Sequence, residues 1–588
     1  MTAPTPSPIP QPPAHCGHGA DLADGAEGCD APVLPGHEAC LAHLGTTALT
    51  AYLSTLRPGA DIDARGVTFT PKLLNDVLDA VRDPATGAPH LGDAKFENAT
   101  FTESALFIGA MITGWARFDQ ATFAGGASFM GAVFRSNARF GQVTFEGGGD
   151  FTGTTFEDQV SFGEATFNYW ASFDQATFKG EIVDFGKAIF KGDARFRGAQ
   201  FTRSGNCTWH FGQARFDTAR GLGPLACSGR LSLDHAEFAA PVTVEVAAER
   251  MSCVGTRFDG PATLRLSYAE VDLSEAVLAH PVTVISNDRH RGPVPADLTN
   301  RPETTVSLLS LRRVDAALLV LTDVDLRRCV FSGAHHLDQL RLEGECLFDA
   351  PPKGVRWGLR PVRWTRRQVL AEEHHWRAQT GRYTAREGWT PHSQASDNAP
   401  PGPAALVVVY RQLRKAFEDG KNEPGAADFY YGEMEMRRRD RRRDGRGTAR
   451  TERWLLHMYW ALSGYGLRAS RAFCWLTVMA AATVLALMLW GLPNSDPKPQ
   501  VTGTQAKTGH EVALIVDTPD PVLNGSIADR FSWKRTEKAV RLVVNSVVFR
   551  SSGQDLTPWG IYIEMLSRLL GALLLALAVL AIRGRVKR

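Results

Sequence analysis

"ARFDQATFAGGASFMGAVFRSN", residues 116–137, repeats its own phrase: Ala-x-Phe-x-x-Ala-x-Phe occupies 116–123 and returns at 127–134. Within each phrase the apolar residues fall at i and i+2 with polar residues between them, which is the period of a strand. Followed outward, phenylalanine recurs at 96, 101, 107, 118, 123, 129, 134, 140, 145, 151, 156, 162, 167, 173 and 178, and Ile112 fills the one gap. The steps alternate between five and six. After a seven-residue step the series resumes at 185, 190, 196 and 201 and fades near Phe211 and Phe216. A small or β-branched residue stands two places before most of these rings, as at Ala94, Ala116, Ala138, Val143 and Val160.

An eleven-residue period also describes a right-handed helical coiled coil. Here glycine recurs in nearly every unit, threonine is abundant, and leucine, glutamate and lysine are scarce, so a long helix is opposed. The unit is a very short strand, a turn, a second short strand and a looser turn. Strands this short bury little alone but can stack coil upon coil, each backbone bonding to the coils on either side. A narrow interior of that kind admits one ring and one small side chain per side. Two eleven-residue units predict about 22 residues per coil, with coils about 4.8 Å apart.

This pattern resembles the pentapeptide-repeat family, whose A-(D/N)-(L/F)-x-x units wind into a right-handed, four-sided parallel β-helix. The resemblance covers 91–219, in a phenylalanine-rich form with one extra residue per ten, and implies that fold. Residues 220–365 keep the alternation in looser form, as in "VTVEVAAERMSCVGTRF" (242–258) and "LLVLTDVDLRRCVF" (318–331), and predict an irregular continuation of the solenoid. Solenoid ends expose strand edges and need covers. The stretch 46–90, with "TPKLLNDVLDAVRD" at 70–83, predicts a small helical cap at one end. At the other, 366–402 predicts a capping helix, "RRQVLAEEHHWRAQ" (366–379), and a linker.

The chain has 588 residues, 44% of them apolar and 22% charged, the composition of an ordinary folded protein too long for one core. Its net charge of +2 excludes a global attraction to nucleic acid. Residues 91–219 hold 14 acidic and 11 basic residues, a net of −3 over 129 residues. Some pentapeptide-repeat proteins mimic DNA towards type II topoisomerases. That role needs a strongly negative rod, so it ranks last among the functions the resemblance suggests.

"AFCWLTVMAAATVLALMLWGL" (472–492) is 21 residues without a charge, about 31 Å as a helix and enough to cross the hydrocarbon core. "GIYIEMLSRLLGALLLALAVLAI" (560–582) is a second span, with Glu564 and Arg568 expected to pair near an interface. A basic run, "RRRDRRRDGRGTARTER" (437–453), precedes the first span and "RGRVKR" (583–588) follows the second. Both are expected on the cytoplasmic side of the cell membrane, with the solenoid and both termini inside. Between 403 and 470 the sequence predicts cytoplasmic juxtamembrane helices. Val408, Leu413 and Phe417 form the inner face of the first; Phe429, Tyr430 and Met434 form that of the second. "ERWLLHMYWALSGYG" (452–466) is expected along the inner interface, with Gly464-Tyr465-Gly466 as a turn.

Residues 471–588 form the two-span domain. The stretch "RTEKAVRLVVNSVVFRSSGQDLTPWGIYIEMLSRLLGALLL" resembles the pore-helix, filter and inner-helix order of two-span potassium channels. "DLTP" (Asp555–Pro558) matches the segment after a filter, but Arg550-Ser551-Ser552-Gly553-Gln554 stand where T-V-G-Y-G is expected. The resemblance implies a decayed pore module used as an anchor, with a conducting pore as the alternative. The stretch 408–444, with "SLRRVDAALLVLTDVDLRRCVFSGAHHLDQLRLEG" (310–344), resembles large actinobacterial pentapeptide-repeat membrane proteins. Some of those are labelled oxidoreductases, a label for which no chemistry is visible here.

The sequence holds no Walker loop, no G-x-G-x-x-G opening a helix and no G-x-S-x-G elbow, so no catalytic site is expected. Residues 1–45 are Pro-rich and carry the one metal-like set: Cys16, Cys29, Cys40 and His43, with His18 and His37 as competing ligands. Three thiolates and an imidazole close a structural zinc tetrahedron; the alternative is an unstructured tail. "AEEHHWR" (371–377) and His335-His336 lack ligand spacing and read as surface or cap residues. The function expected is a non-enzymatic scaffold tethered to the membrane. It would present the solenoid to an unidentified protein partner, and homo-oligomerisation is left open.

Overall fold

The computed structural model describes residues 15–19, 28–201, 207–287, 290, 294–300, 305–352, 355–356, 362–363, 366–380, 389, 401–441, 448–493, 500–502, 515–517, 523, 527, 530–549 and 556–586. The expected filter position at 550–554 with Asp555 of "DLTP", residues 442–447 of the basic run and residues 1–14 of the Pro-rich start lie outside them. The chain forms two compact units, Met1–Phe429 and Tyr430–Arg588.

The first unit holds a parallel β-solenoid of about 11 turns over residues 90–343. The strands Ala60–Asp63 and Thr68–Phe69 pair in parallel with its first turn, so the stretch 46–90, expected as a small helical cap, also supplies an opening coil. The coil at 116–137 makes four two-residue strands, Ala116–Arg117, Thr122–Phe123, Ala127–Ser128 and Val133–Phe134. Each pairs in parallel with the residues 22 further on, as Ala116 with Ala138 and Phe123 with Phe145. One strand per side gives four sides, and the i, i+2 alternation turns every phenylalanine inward.

The rings stand in columns. Phe96, Phe118, Phe140, Phe162, Phe185 and Phe211 follow one another with centroids 4.8–5.0 Å apart and planes within 9°. A second column runs Phe107, Phe129, Phe151, Phe173 and Phe196 at 4.9–5.0 Å. Stacked-strand spacing and stacked-ring spacing coincide, so one repeat length satisfies backbone and core together. Rings of adjacent columns meet edge to face, as Phe140 and Phe151 at 5.5 Å and 85°. The rings are buried, and each contributes roughly 1.5–3 kcal/mol of transfer free energy, spread along the array.

The seven-residue step marks one inserted residue: Val160 pairs with Val183 and Thr166 with Ile189, a coil of 23. Beyond Phe238 the coil shortens to 20 residues, Phe238 pairing with Phe258 and Phe258 with Leu278. The short sides fuse here into the long strands Gly221–Ser232 and Val242–Ser252. Parallel pairing continues to Thr322 with Glu343. A short helix, α3 (Ala296–Thr299), follows the strand Val282–Ser286.

At the N-terminal end lie α1 (Thr46–Thr55) and α2 (Pro71–Ala80). Thr70 caps α2 by accepting from the Leu73 amide, and Pro71 sits where no amide is needed. Leu73, Leu74, Val77 and Leu78 are the buried stripe.

At the C-terminal end, α4 (Ala371–Gln379) places Glu372 against the last coils. Its Oε1 accepts from the amides of Phe331 (2.6 Å) and Ser332 (3.0 Å). Of the two places expected for "AEEHHWR", surface or cap, the residues take the cap: Glu372, Glu373, His374 and Arg377 are buried. Glu373 is enclosed by Arg367, Arg377 and the Tyr410 hydroxyl. Sequence spacing left surface and cap open, because it cannot show that Tyr410 arrives at Glu373.

In α5 (Pro403–Asp419), Leu406, Val409, Tyr410, Leu413 and Phe417 face inward. Val408 is half exposed, which corrects its expected place on the inner face. The next helix, α6 (Glu423–Arg439), takes Pro424 and Gly425 into its first turn, and Phe429 is buried.

The second unit is helical. In α7 (Arg450–Ser463), Trp454, Leu455 and Met458 are exposed. Its end is closed by Gly464, Tyr465 and Gly466, all at positive φ, so Gly-Tyr-Gly is a turn. Among the described residues, two helices are long and apolar enough to cross a membrane, Ala469–Gly491 and Pro558–Arg583. The first comprises α8 (Ala469–Ala486) and a π-turn, Leu487–Gly491. The second lies within α10 (Pro558–Val586). They cross closely at Gly491 and Gly560, where a Cβ on Gly560 would lie 2.5 Å from the Gly491 oxygen.

Candidate functional site

Three features stand out from the scaffold: a corner of the solenoid, the segment between the two apolar helices, and the N-terminal cysteine cluster.

Each coil must turn, and some corners require left-handed backbone. One column of corners uses glycine at most levels, Gly109, Gly131, Gly153 and Gly198, with Gln175 the exception. Another places non-glycine residues in the same conformation, Asn98, Gln120, Gln142, Glu164, Lys187 and Gln213, each at φ 56–60°. Left-handed backbone costs a non-glycine residue roughly 1 kcal/mol, and this column bears that cost at every level. Its side chains form a ladder. Gln120 Nε2 donates to Gln142 Oε1 (2.8 Å), Gln142 Nε2 to Glu164 Oε2 (2.8 Å), and Lys187 Nζ to Glu164 Oε1 (3.1 Å). The ladder lines an open polar groove of ≈ 980 Å³ that also takes in Asp119, Asp184 and His210. His210 Nδ1 donates to Asp184 Oδ1 at 3.0 Å, a hydrogen bond that raises the histidine's pKa. The signal was present in the sequence as polar residues 22 apart, overshadowed by the phenylalanines.

Between the apolar helices, Ser532 caps α9 (Trp533–Val544), which runs into a π-turn, Asn545–Phe549. Ala539, Leu542 and Val543 of α9 pack with Leu487, Met488 and Leu492 at the end of the first apolar helix and with Leu556. Arg535 donates to the carbonyls of Met488 (3.0 Å), Leu492 (2.8 Å) and Pro493 (3.2 Å), and Arg530 to Leu489 (2.7 Å). The Met488 and Leu489 carbonyls are among those a helix leaves open at its C-terminus. Glu564 and Arg568 pair at 2.7 Å, and Arg568 Nε also donates to Ser546 Oγ (3.0 Å). Glu564 is buried, so the pair ties α10 to the π-turn that follows α9.

The candidate metal ligands come together. One ligand atom from each of Cys16, Cys29, Cys40 and His43 lies within 4.8 Å of the others. Cys29 Sγ is 3.8 Å from Cys40 Sγ, and His43 Nδ1 is 3.3 Å from Cys40 Sγ and 3.6 Å from Cys16 Sγ. The competing histidines are not among the converging four: His18 stacks on the His43 ring at 4.1 Å, and His37 meets Tyr52 edge-on. Backbone bonds hold the loops, Cys16 N to Ala31 O (2.9 Å), Gly17 N to Cys29 O (3.0 Å) and His43 N to Cys40 O (3.0 Å).

No curated protein and no solved structure matches the chain. Residues 89–131 and 164–208 match the family of pentapeptide repeats, in 9 copies. Both stretches fall in the four-sided part of the solenoid, and the chain carries pentapeptide repeats there.

Proposed function

We propose that this protein is a non-enzymatic scaffold anchored in the cell membrane, whose solenoid presents a rigid polar corner to a protein partner in the cytoplasm. The observation that carries this reading is the union, in one chain, of a repeat array with two helices long and apolar enough to span a bilayer. Orientation rests on charge: basic residues flank the first span on its N-terminal side and the second on its C-terminal side. The corner bearing Gln120, Gln142, Glu164 and Lys187 is the partner-facing side. There the fold keeps functional side chains where glycine is conformationally cheaper. A chain lacking 468–588 is expected in the soluble fraction, with the full chain in the membrane pellet. Equal pelleting of both refutes the tether.

A second reading, a pore built from several copies of the two-span unit, is favoured by one observation. A short amphipathic helix, α9, lies between the two spans in sequence and packs against the end of the first, as a pore helix does in order. Planar-bilayer recordings on the purified full chain decide it. Silence under all ionic conditions removes the pore.

A further inference from the structure

We propose that Cys16, Cys29, Cys40 and His43 bind one structural zinc ion, and that the metal folds the N-terminal segment into a cover over the first coil of the solenoid. In a tetrahedral site with Zn–S about 2.3 Å and Zn–N about 2.0–2.1 Å, sulfurs stand roughly 3.8 Å apart and sulfur to nitrogen roughly 3.5 Å. The separations of 3.8 Å between Cys29 and Cys40, and of 3.3 and 3.6 Å from His43 Nδ1 to its two sulfurs, match those edges. A disulfide between Cys29 and Cys40 fits less well, because its bond length is about 2.05 Å and it would leave Cys16 and His43 converging on nothing.

The four ligands come from stretches whose own core is slight. Ala31, Leu34, Cys40 and Leu41 are its buried apolar residues among those described. A segment of that size does not offset its ordering entropy by burial alone, and metal ligation supplies the difference.

The position of the cluster gives it a task. The strand Ala60–Asp63 opens the solenoid and pairs in parallel on one side, with His90–Lys95. Gly66, in the turn that follows, has φ +64°, and a Cβ there would meet the Ala31 amide nitrogen at 3.4 Å. The metal-bound loop therefore lies on the turn of the first coil, beside an edge that would otherwise template further strands. Zinc binding and closure of that edge are one event.

The test uses the tag-free full chain in detergent, purified without chelator. About one zinc per chain is expected by elemental analysis. Cobalt(II) added after zinc removal is expected to give the visible bands of a tetrahedral thiolate site. The Cys29→Ser/Cys40→Ser double variant is expected to retain about a tenth of the metal or less. Hydrogen exchange at 28–45 and 60–69 is expected to accelerate on zinc removal, with 116–178 unchanged. Absence of zinc together with absence of the cobalt bands overturns the site, as does a Cys29–Cys40 disulfide found by thiol counting. Metal content unchanged in the double variant overturns the ligand assignment. Unaltered exchange at 60–69 overturns the cover.

Discussion

Replacing Phe151 by alanine tests how the core works. Its ring is 0% exposed and stacks on Phe129 at 5.0 Å and Phe173 at 4.9 Å. It also meets Phe140, Phe145 and Phe162 edge to face at 5.5, 5.9 and 5.1 Å. Truncation removes the transfer free energy of the ring and leaves a cavity whose walls are rings fixed by their own backbone ladders. The expected cost is about 3–5 kcal/mol, with little relief from collapse. Because each coil touches only its neighbours, the loss should stay local. Hydrogen exchange read by mass spectrometry on the full chain is the assay. Amides at 140–178 should open about a hundred- to several-thousandfold more readily, while those at 262–322 stay as they were. Phe151→Leu keeps most of the volume and should cost only about 1–1.5 kcal/mol. Equal acceleration over both regions would refute the additive, coil-by-coil picture. No acceleration at 140–178 would refute the packing itself.

Two further outcomes follow from particular geometries. Burial opposes ionisation of Glu373, but Arg367 and Arg377 outweigh it and hold the carboxyl well below the usual carboxylate range. A depressed carboxyl stabilises above its unfolded pKa of about 4.3, and the gain is lost as pH falls towards the native value. Limited proteolysis at 366–429 should therefore rise as pH drops below about 4. Glu373→Gln should cost about 3–5 kcal/mol at pH 7 by stranding two buried guanidinium groups, and should flatten that acid response. At the corners, Gln175 occupies the left-handed place that Gly153 and Gly198 hold in neighbouring coils. Gln175→Gly should stabilise by about 0.5–1 kcal/mol, and Gly153→Ala, with φ 65° and open space around it, should destabilise by a similar amount. Urea midpoints of the full chain in detergent read both, and a shared sign would contradict the strain argument.

The sequence determined the repeat, the inward rings, the strand character of each phrase, the two apolar helices and the four residues that meet at the cysteine cluster. Those features are local or periodic. A phenylalanine every five or six residues needs only the alternation of the strand to point it inward, and a repeated spacing carries that solution from coil to coil. Tertiary structure alone decided the rest. Val408 turned outward because the inner face of α5 is set by what packs on Tyr410 and Phe417, and Glu373 became buried because Tyr410 reaches it from 37 residues away while Arg367 folds back on it from just before α4. The fusion of sides at 221–252 likewise depends on register between coils, Gly221–Ser232 pairing along its length with Val242–Ser252. Pairing of a charge and register of a ladder are properties of two stretches at once, and neither stretch displays them by itself.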